Sequence, residues 1–109
     1  MKDDQIYLDH ILECINWITR FTEEGAEVFF KDRKTQSAVL RELQTLSEST
    51  QRLSEEFKEN HPEVPWQNVA GFRNILVHDY LGIKMERVWQ IIQRDLPLLQ
   101  TVLAHPTKD

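Results

Sequence analysis

Six residues in the middle of this 109-residue chain, Val39, Leu43, Leu46, Thr50, Leu53 and Phe57, recur at alternating steps of four and three. That spacing lays one stripe along an α-helix, because residues three and four apart share a face. The stripe is close to a heptad seam. It predicts a helix from about Asp32 to Asn60 that packs lengthwise on its neighbours at a shallow angle. Glu, Gln, Ser and Arg fill its other faces, as a solvated surface requires. No segment shows the period of two that a half-buried strand needs.

The flanking sequence repeats the helical pattern. Tyr7, Ile11, Ile15 and Ile18 line one face of a helix from about Asp4 to Phe21, with Asp3 or Asp4 as its cap. Gly25 breaks the pattern inside Thr22-Glu23-Glu24-Gly25-Ala26-Glu27. The stretch His61-Pro62-Glu63-Val64-Pro65-Trp66 ends the long helix, since each proline disfavours helix in the residue before it. Pro65 suits the first turn of a third helix that runs to His78 or Tyr80, with Trp66, Val69, Phe72, Leu76 and Ile75 as its inward residues. After Gly82 a fourth helix carries Met85, Val88, Ile92, Leu96, Leu99 and Leu103, and Pro97 should kink it. The expected architecture is all-α, an up-and-down bundle of four main helices over residues 1–104, with residues 105–109 as a short frayed tail.

Composition narrows the function. The formal net charge is −5, whereas a long nucleic-acid-tracking face is normally basic. The charge is uneven, however. Residues 41–63 hold three basic residues (Arg41, Arg52, Lys58) against six acidic ones, while residues 71–94 hold four basic (Arg73, Lys84, Arg87, Arg94) against two acidic (Asp79, Glu86). A local anion site in an acidic protein is compatible with that pattern. A single cysteine, Cys14, excludes an intramolecular disulfide and a thiolate metal cluster, which points to a reducing, cytoplasmic setting. His10, His61 and His105 lack metal-ligand spacing, so no metal is expected. No apolar run reaches the roughly 20 residues of a membrane span, and none is expected.

The segment Gly71-Phe72-Arg73-Asn74-Ile75-Leu76-Val77-His78-Asp79-Tyr80 concentrates the reactive side chains. Arg73 suits a phosphate, His78 suits proton transfer near neutral pH, and the Tyr80 hydroxyl can accept a transferred group. On a regular helix, Arg73 and His78 differ in direction by about 140°. Asn74 and His78, four apart, share a face. Arg73 and His78 can meet one ligand if the helix ends near His78, or if a two-fold dimer pools two copies of the segment in one cleft. The plainer alternative pairs Arg73 with a surface carboxylate and leaves His78 as a helix cap.

Read with their flanks, these residues resemble the HepT-like toxins of the HEPN superfamily. The resemblance is carried by Pro65-Trp66, Gly71-Phe72-Arg73-Asn74, His78-Asp79-Tyr80, Val88-Trp89 and Leu96-Pro97, together with Ala38-Val39-Leu40-Arg41-Glu42-Leu43. It implies a homodimeric, metal-independent ribonuclease whose Arg-x4-His motif falls on Arg73 and His78. Asn74 and Asp79 become supporting residues. It also implies the toxin half of a type VII-like toxin–antitoxin system. There a partner minimal nucleotidyltransferase transfers AMP from ATP to Tyr80, while this chain itself uses no cofactor. A bulky anionic adenylate beside the cleft would exclude RNA by sterics and charge repulsion. The competing functions are a non-catalytic helical adaptor and substrate of the nucleotidyltransferase, and a nucleotide-binding domain without chemistry.

Two departures stand out. The family often has Gly-Glu-Ala where this chain has Ser47-Glu48-Ser49, a change that bears on close packing or a dimer contact. It often has a capping Asp where this chain has Lys84. Cys14 reads as an apolar filler, and Trp17, Trp66 and Trp89 as core or interface anchors.

Overall fold

In the computed structural model the backbone is described for residues 2–78 and 84–104, and side chains for residues 4–72 and 84–104. The described residues form helix α1 (Lys2–Phe21), α2 (Ala26–Lys31), α3 (Arg33–Gln51), α4 (Glu55–Asn60) and α5 (Trp66–His78). Helix α6 (Met85–Gln90), a π turn (Ile91–Asp95) and α7 (Leu96–Ala104) follow as one continuous rod. The four long rods are α1, α3, α5 and this last composite. Helix α3 lies at the centre, packed mainly on α1 and α5, and the composite rod closes against α1 through α7. The architecture is the expected all-α one.

The core follows the predicted stripes. Ile11, Ile15 and Ile18 of α1 are buried, and so is every member of the long seam from Val39 to Phe57. Val69, Phe72, Val88, Ile92, Leu96, Leu99 and Leu103 complete it. Fully burying such a side chain contributes about 1.5–3 kcal/mol, and truncating Leu43 to Ala should cost about 2–5 kcal/mol. Thr50 sits in the seam because its hydroxyl donates to the Ser47 carbonyl at 2.7 Å, so no buried polar atom is left over there.

Four local expectations are corrected. The long second helix is two helices, because Arg52 and Leu53 close tight turns onto the Ser49 and Thr50 carbonyls and Ser54 starts a new helix. The Ser54 hydroxyl accepts from the Phe57 N–H at 3.1 Å, with Glu55 and Glu56 in the first turn, a favourable N-terminus. Asp4 does not cap α1. It lies within that helix, 6% exposed, and accepts from the Ser54 N–H (2.8 Å) and hydroxyl (2.7 Å).

The third correction is α2, an unexpected helix. Gly25 precedes it at φ 97, a conformation costly to other residues. Phe29 of α2 is fully buried against Trp89, 5.1 Å between rings. The Gln36 amide donates to the Phe29 carbonyl at 2.9 Å, and Asp32 caps α3 by accepting from the Lys34 N–H at 3.2 Å.

The fourth concerns Pro97, whose expected kink is taken up as the π turn just before it. The Leu96 N–H reaches back five residues to the Ile91 carbonyl. Proline crowds the carbonyl four residues earlier, here Gln93, and a wider turn relieves that crowding. The same turn corrects the apolar stripe. Steps of four from Val88 to Ile92 to Leu96 overshoot a regular helical turn by about 40° each, and a wider turn absorbs the drift.

Candidate active site on the third long helix

Helix α5 starts where the sequence demands. After Pro65, the Asn68 and Val69 amides both bond to the Pro65 carbonyl, at 2.9 and 3.1 Å. The Trp66 indole N–H is shared between the carbonyls of Lys58 (3.1 Å) and His61 (3.0 Å), which ties the start of α5 to the end of α4. His61 is buried, its ring centroid 4.6 Å from that of Phe57 at a tilt of 40°, with its Nδ1 3.8 Å from Glu63. The entry of the helix is therefore rigidly held on one side.

A second tether comes from α3. The Ser47 hydroxyl, fully buried, lies 3.2 Å from the Val69 carbonyl and 3.4 Å from that of Ala70. In an α-helix those two carbonyls pair with the N–H groups of residues 73 and 74. Ser47 thus reinforces the turn of α5 that leads into Arg73 and Asn74. The Ser-for-Gly departure is a packing contact between α3 and α5 within one subunit.

The backbone of Arg73, Asn74 and His78 belongs to α5, and Arg73 and His78 stand about 7.5 Å apart along its axis. The side chains of these three residues, and Asp79 and Tyr80 altogether, lie outside the described residues. Among the described residues no group of three or more His, Cys, Asp or Glu could hold a metal ion. None of the described helices is long and apolar enough to cross a membrane.

Beside the motif lies a cleft of about 200 Å³ between α5 and the composite rod. Asn68 and Phe72 of α5 form one wall; Arg87, Gln90, Arg94 and Asp95 form the other. The sequence had shown Arg87 and Arg94 only as part of a local basic excess. Nothing in their spacing marked them as sharing a cleft with α5, because that depends on how the last rod docks.

Lys84 stands at the N-cap of α6 and makes no side-chain capping bond there. Of the three tryptophans, Trp66 and Trp89 are anchors as expected. Trp17 is 41% exposed, stacked on Phe21 at 5.6 Å and under the Arg20 guanidinium at 5.4 Å.

The described residues are all-helical and α5 carries an arginine and a histidine five residues apart, an arrangement that fits the HEPN class. Within that class, the sequence model described as "Ribonuclease HepT-like" matches residues 11–105, and the chain belongs to that family. It is 39% identical over 95 residues to the "Probable ribonuclease HepT" of Thermococcus cleftensis, covering 86% of each chain. It is 38% identical over 101 residues to "Putative RNase TTE0752" of Caldanaerobacter subterraneus subsp. tengcongensis, covering 92% of this chain and 90% of that one. A Methanocaldococcus jannaschii protein named "Gamma-glutamylcyclotransferase and putative RNase MJ0434" is 36% identical over 100 residues; those cover 91% of this chain but 45% of that longer one. No solved structure matches the chain.

Proposed function

We propose that this protein is a metal-independent endoribonuclease that works as a homodimer, with Arg73 and His78 from both copies around one scissile phosphate. Membership of the HepT-like ribonuclease family carries this reading. The placement of Arg73 and His78 on one helix, tethered at its start by Ser47 and Trp66, supports it.

The chemistry needs no other reagent. One neutral imidazole of His78 takes the proton of a ribose 2′-hydroxyl as its oxygen attacks phosphorus. The P–O5′ bond breaks, and the protonated His78 of the other copy gives its proton to the leaving oxygen. Products are a 2′,3′-cyclic phosphate and a free 5′-hydroxyl. Arg73 stabilises charge on the phosphorane oxygens, and Asn74 and Asp79 support the pair. An imidazole with pKa near 6.5 supplies both protonation states close to neutrality.

In the same reading the chain is the toxin of a type VII-like toxin–antitoxin pair. The Tyr80 hydroxyl attacks the α-phosphorus of ATP held by a partner nucleotidyltransferase, and pyrophosphate leaves. The resulting adenylate blocks the RNA path.

The test is cleavage of a single-stranded RNA in EDTA by the wild type, Arg73→Ala and His78→Ala. Wild-type cleavage to cyclic-phosphate ends is expected, with each variant slower by at least about 100-fold. Equal cleavage by both variants would remove the proposed site. A protein that gains AMP on Tyr80 yet cuts no RNA would support the adaptor reading instead.

A further inference from the structure

We propose that the cleft between α5 and the composite rod is a phosphate subsite, in which Arg87 and Arg94 hold the RNA backbone to one side of the scissile bond. The inference rests on the ribonuclease reading of the Arg73–His78 segment and extends it to residues outside that motif.

Four observations carry it. Arg87 and Arg94 both line the cleft, and both are exposed. Neither forms an ion pair among the described residues, including with Asp95 on the same wall of the cleft. Two guanidinium groups that share one cleft and form no ion pair repel each other, the Asp95 carboxylate on the same lining offsets that only in part, and an anion between them relieves it. The remaining polar walls, Asn68 and Gln90, present neutral amides that can donate to phosphate or ribose oxygens.

Size and position point the same way. About 200 Å³ is below the roughly 300–1,000 Å³ of enclosed small-molecule sites, but it accommodates one phosphate of a passing strand. Phe72, on the cleft wall, immediately precedes Arg73, so a strand crossing the cleft arrives at the motif. Phe72 and Ile91, 3% and 6% exposed, give the lining its apolar part, and Asp95 is the carboxylate it carries against two arginines. The net charge of −5 discourages RNA elsewhere on the surface and confines it to this basic strip.

The experiment measures binding separately from cleavage. A single-stranded oligoribonucleotide with every 2′-hydroxyl methylated, and therefore without a nucleophile for cleavage, is titrated against the full chain at several salt concentrations; the all-ribose version reports turnover. Variants are Arg87→Gln, Arg94→Gln and the double variant. Arg33→Gln, an exposed arginine at the start of α3, controls for loss of charge alone. Thermal melts confirm that all fold.

Each cleft arginine should contribute about 0.7 to the slope of log affinity against log salt, or roughly tenfold in affinity between 1 M and 50 mM salt. The double variant should therefore lose about 1.4 in slope, raise KM, and leave kcat at saturating RNA within about twofold, because phosphate contacts position rather than react. Arg33→Gln should bind as the wild type.

If the wild type cleaves and the double variant binds with unchanged slope, the subsite is wrong and the ribonuclease reading stands. If nothing is cleaved yet the cleft variants lose affinity and slope, the cleft is an RNA site and the catalytic reading fails. A wild type that neither binds nor cleaves removes both.

Discussion

The Ser47 hydroxyl bonds to the Val69 carbonyl at 3.2 Å across 22 residues of sequence, joining α3 to α5 one turn before Arg73. A buried hydrogen bond of this type is worth about 1 kcal/mol net. Ser47→Ala removes the donor and leaves the carbonyl its intrahelical partner, so the fold survives. We expect destabilisation of about 1 kcal/mol, a fall in Tm of roughly 4–8 °C. Amide hydrogen exchange should localise the effect. The N–H groups of residues 73 and 74, which pair with the Val69 and Ala70 carbonyls, should exchange faster than those at the core of α1. Equal acceleration along all helices would mean that Ser47 acts only through general packing.

Asp4 performs a longer-range version of the same service. Its two carboxylate oxygens accept from the backbone N–H and hydroxyl of Ser54, 50 residues away, while that hydroxyl caps α4. Asp4→Ala leaves Ser54 without either bond in a partly buried setting. Each hydrogen bond to a charged group is worth about 1.5–3 kcal/mol, so a total loss of roughly 3–6 kcal/mol is expected by urea denaturation. Ser54→Ala should cost a comparable amount, and the double variant little more than either alone, because both changes cut one network. Additive losses would show that the two residues stabilise the fold independently.

These two contacts show where sequence reading stopped. Apolar spacing found the seam from Val39 to Phe57, and all six residues are buried. It could not see that the backbone changes direction at Leu53, because the stripe continues across the break. The signal was present in Ser54-Glu55-Glu56, a helix start hidden inside a longer pattern. Helix α2 was missed because six residues are too few to show a period, and its helicity depends on Phe29 finding Trp89. At the site, the motif on α5 was legible as residue types, whereas Ser47, Arg87 and Arg94 become neighbours of α5 only through tertiary packing.

Cys14 offers a pH-dependent test of the core. Burial pushes its thiol from an ordinary 9.0 up to about 12, and the Glu42 carboxylate beside it adds to the shift. The neutral thiol is favoured in the folded state. Its contribution is therefore complete below about pH 9 and is lost progressively as pH rises from there towards 12. The folded protein should resist iodoacetamide at pH 9 and react once urea unfolds it. Glu42→Gln should lower the thiol pKa only part of the way, since desolvation is the larger cause. Rapid alkylation of the native protein at neutral pH would contradict this burial.

Lys84 couples stability to the proposed RNA path in opposite directions. It occupies the N-cap of α6 in extended backbone geometry, φ −90 and ψ 114, without a side-chain capping bond. The Arg87 and Val88 amides already bond to its carbonyl, at 3.0 and 3.3 Å, so the Glu86 N–H is the donor that a capping side chain can take. Lys84→Asp places an acceptor there and a negative charge at the positive end of the helix, and should stabilise the protein by about 1 kcal/mol. The same change replaces a cation with an anion one turn from Arg87. RNA affinity should fall, with a shallower salt dependence, while Tm rises. Lys84→Asn caps comparably but only neutralises the charge, so it should keep most of the gain in Tm and lose less affinity. If both variants melt higher and bind RNA as tightly as the wild type, Lys84 stands outside the RNA path and the strand enters the cleft from the α5 side.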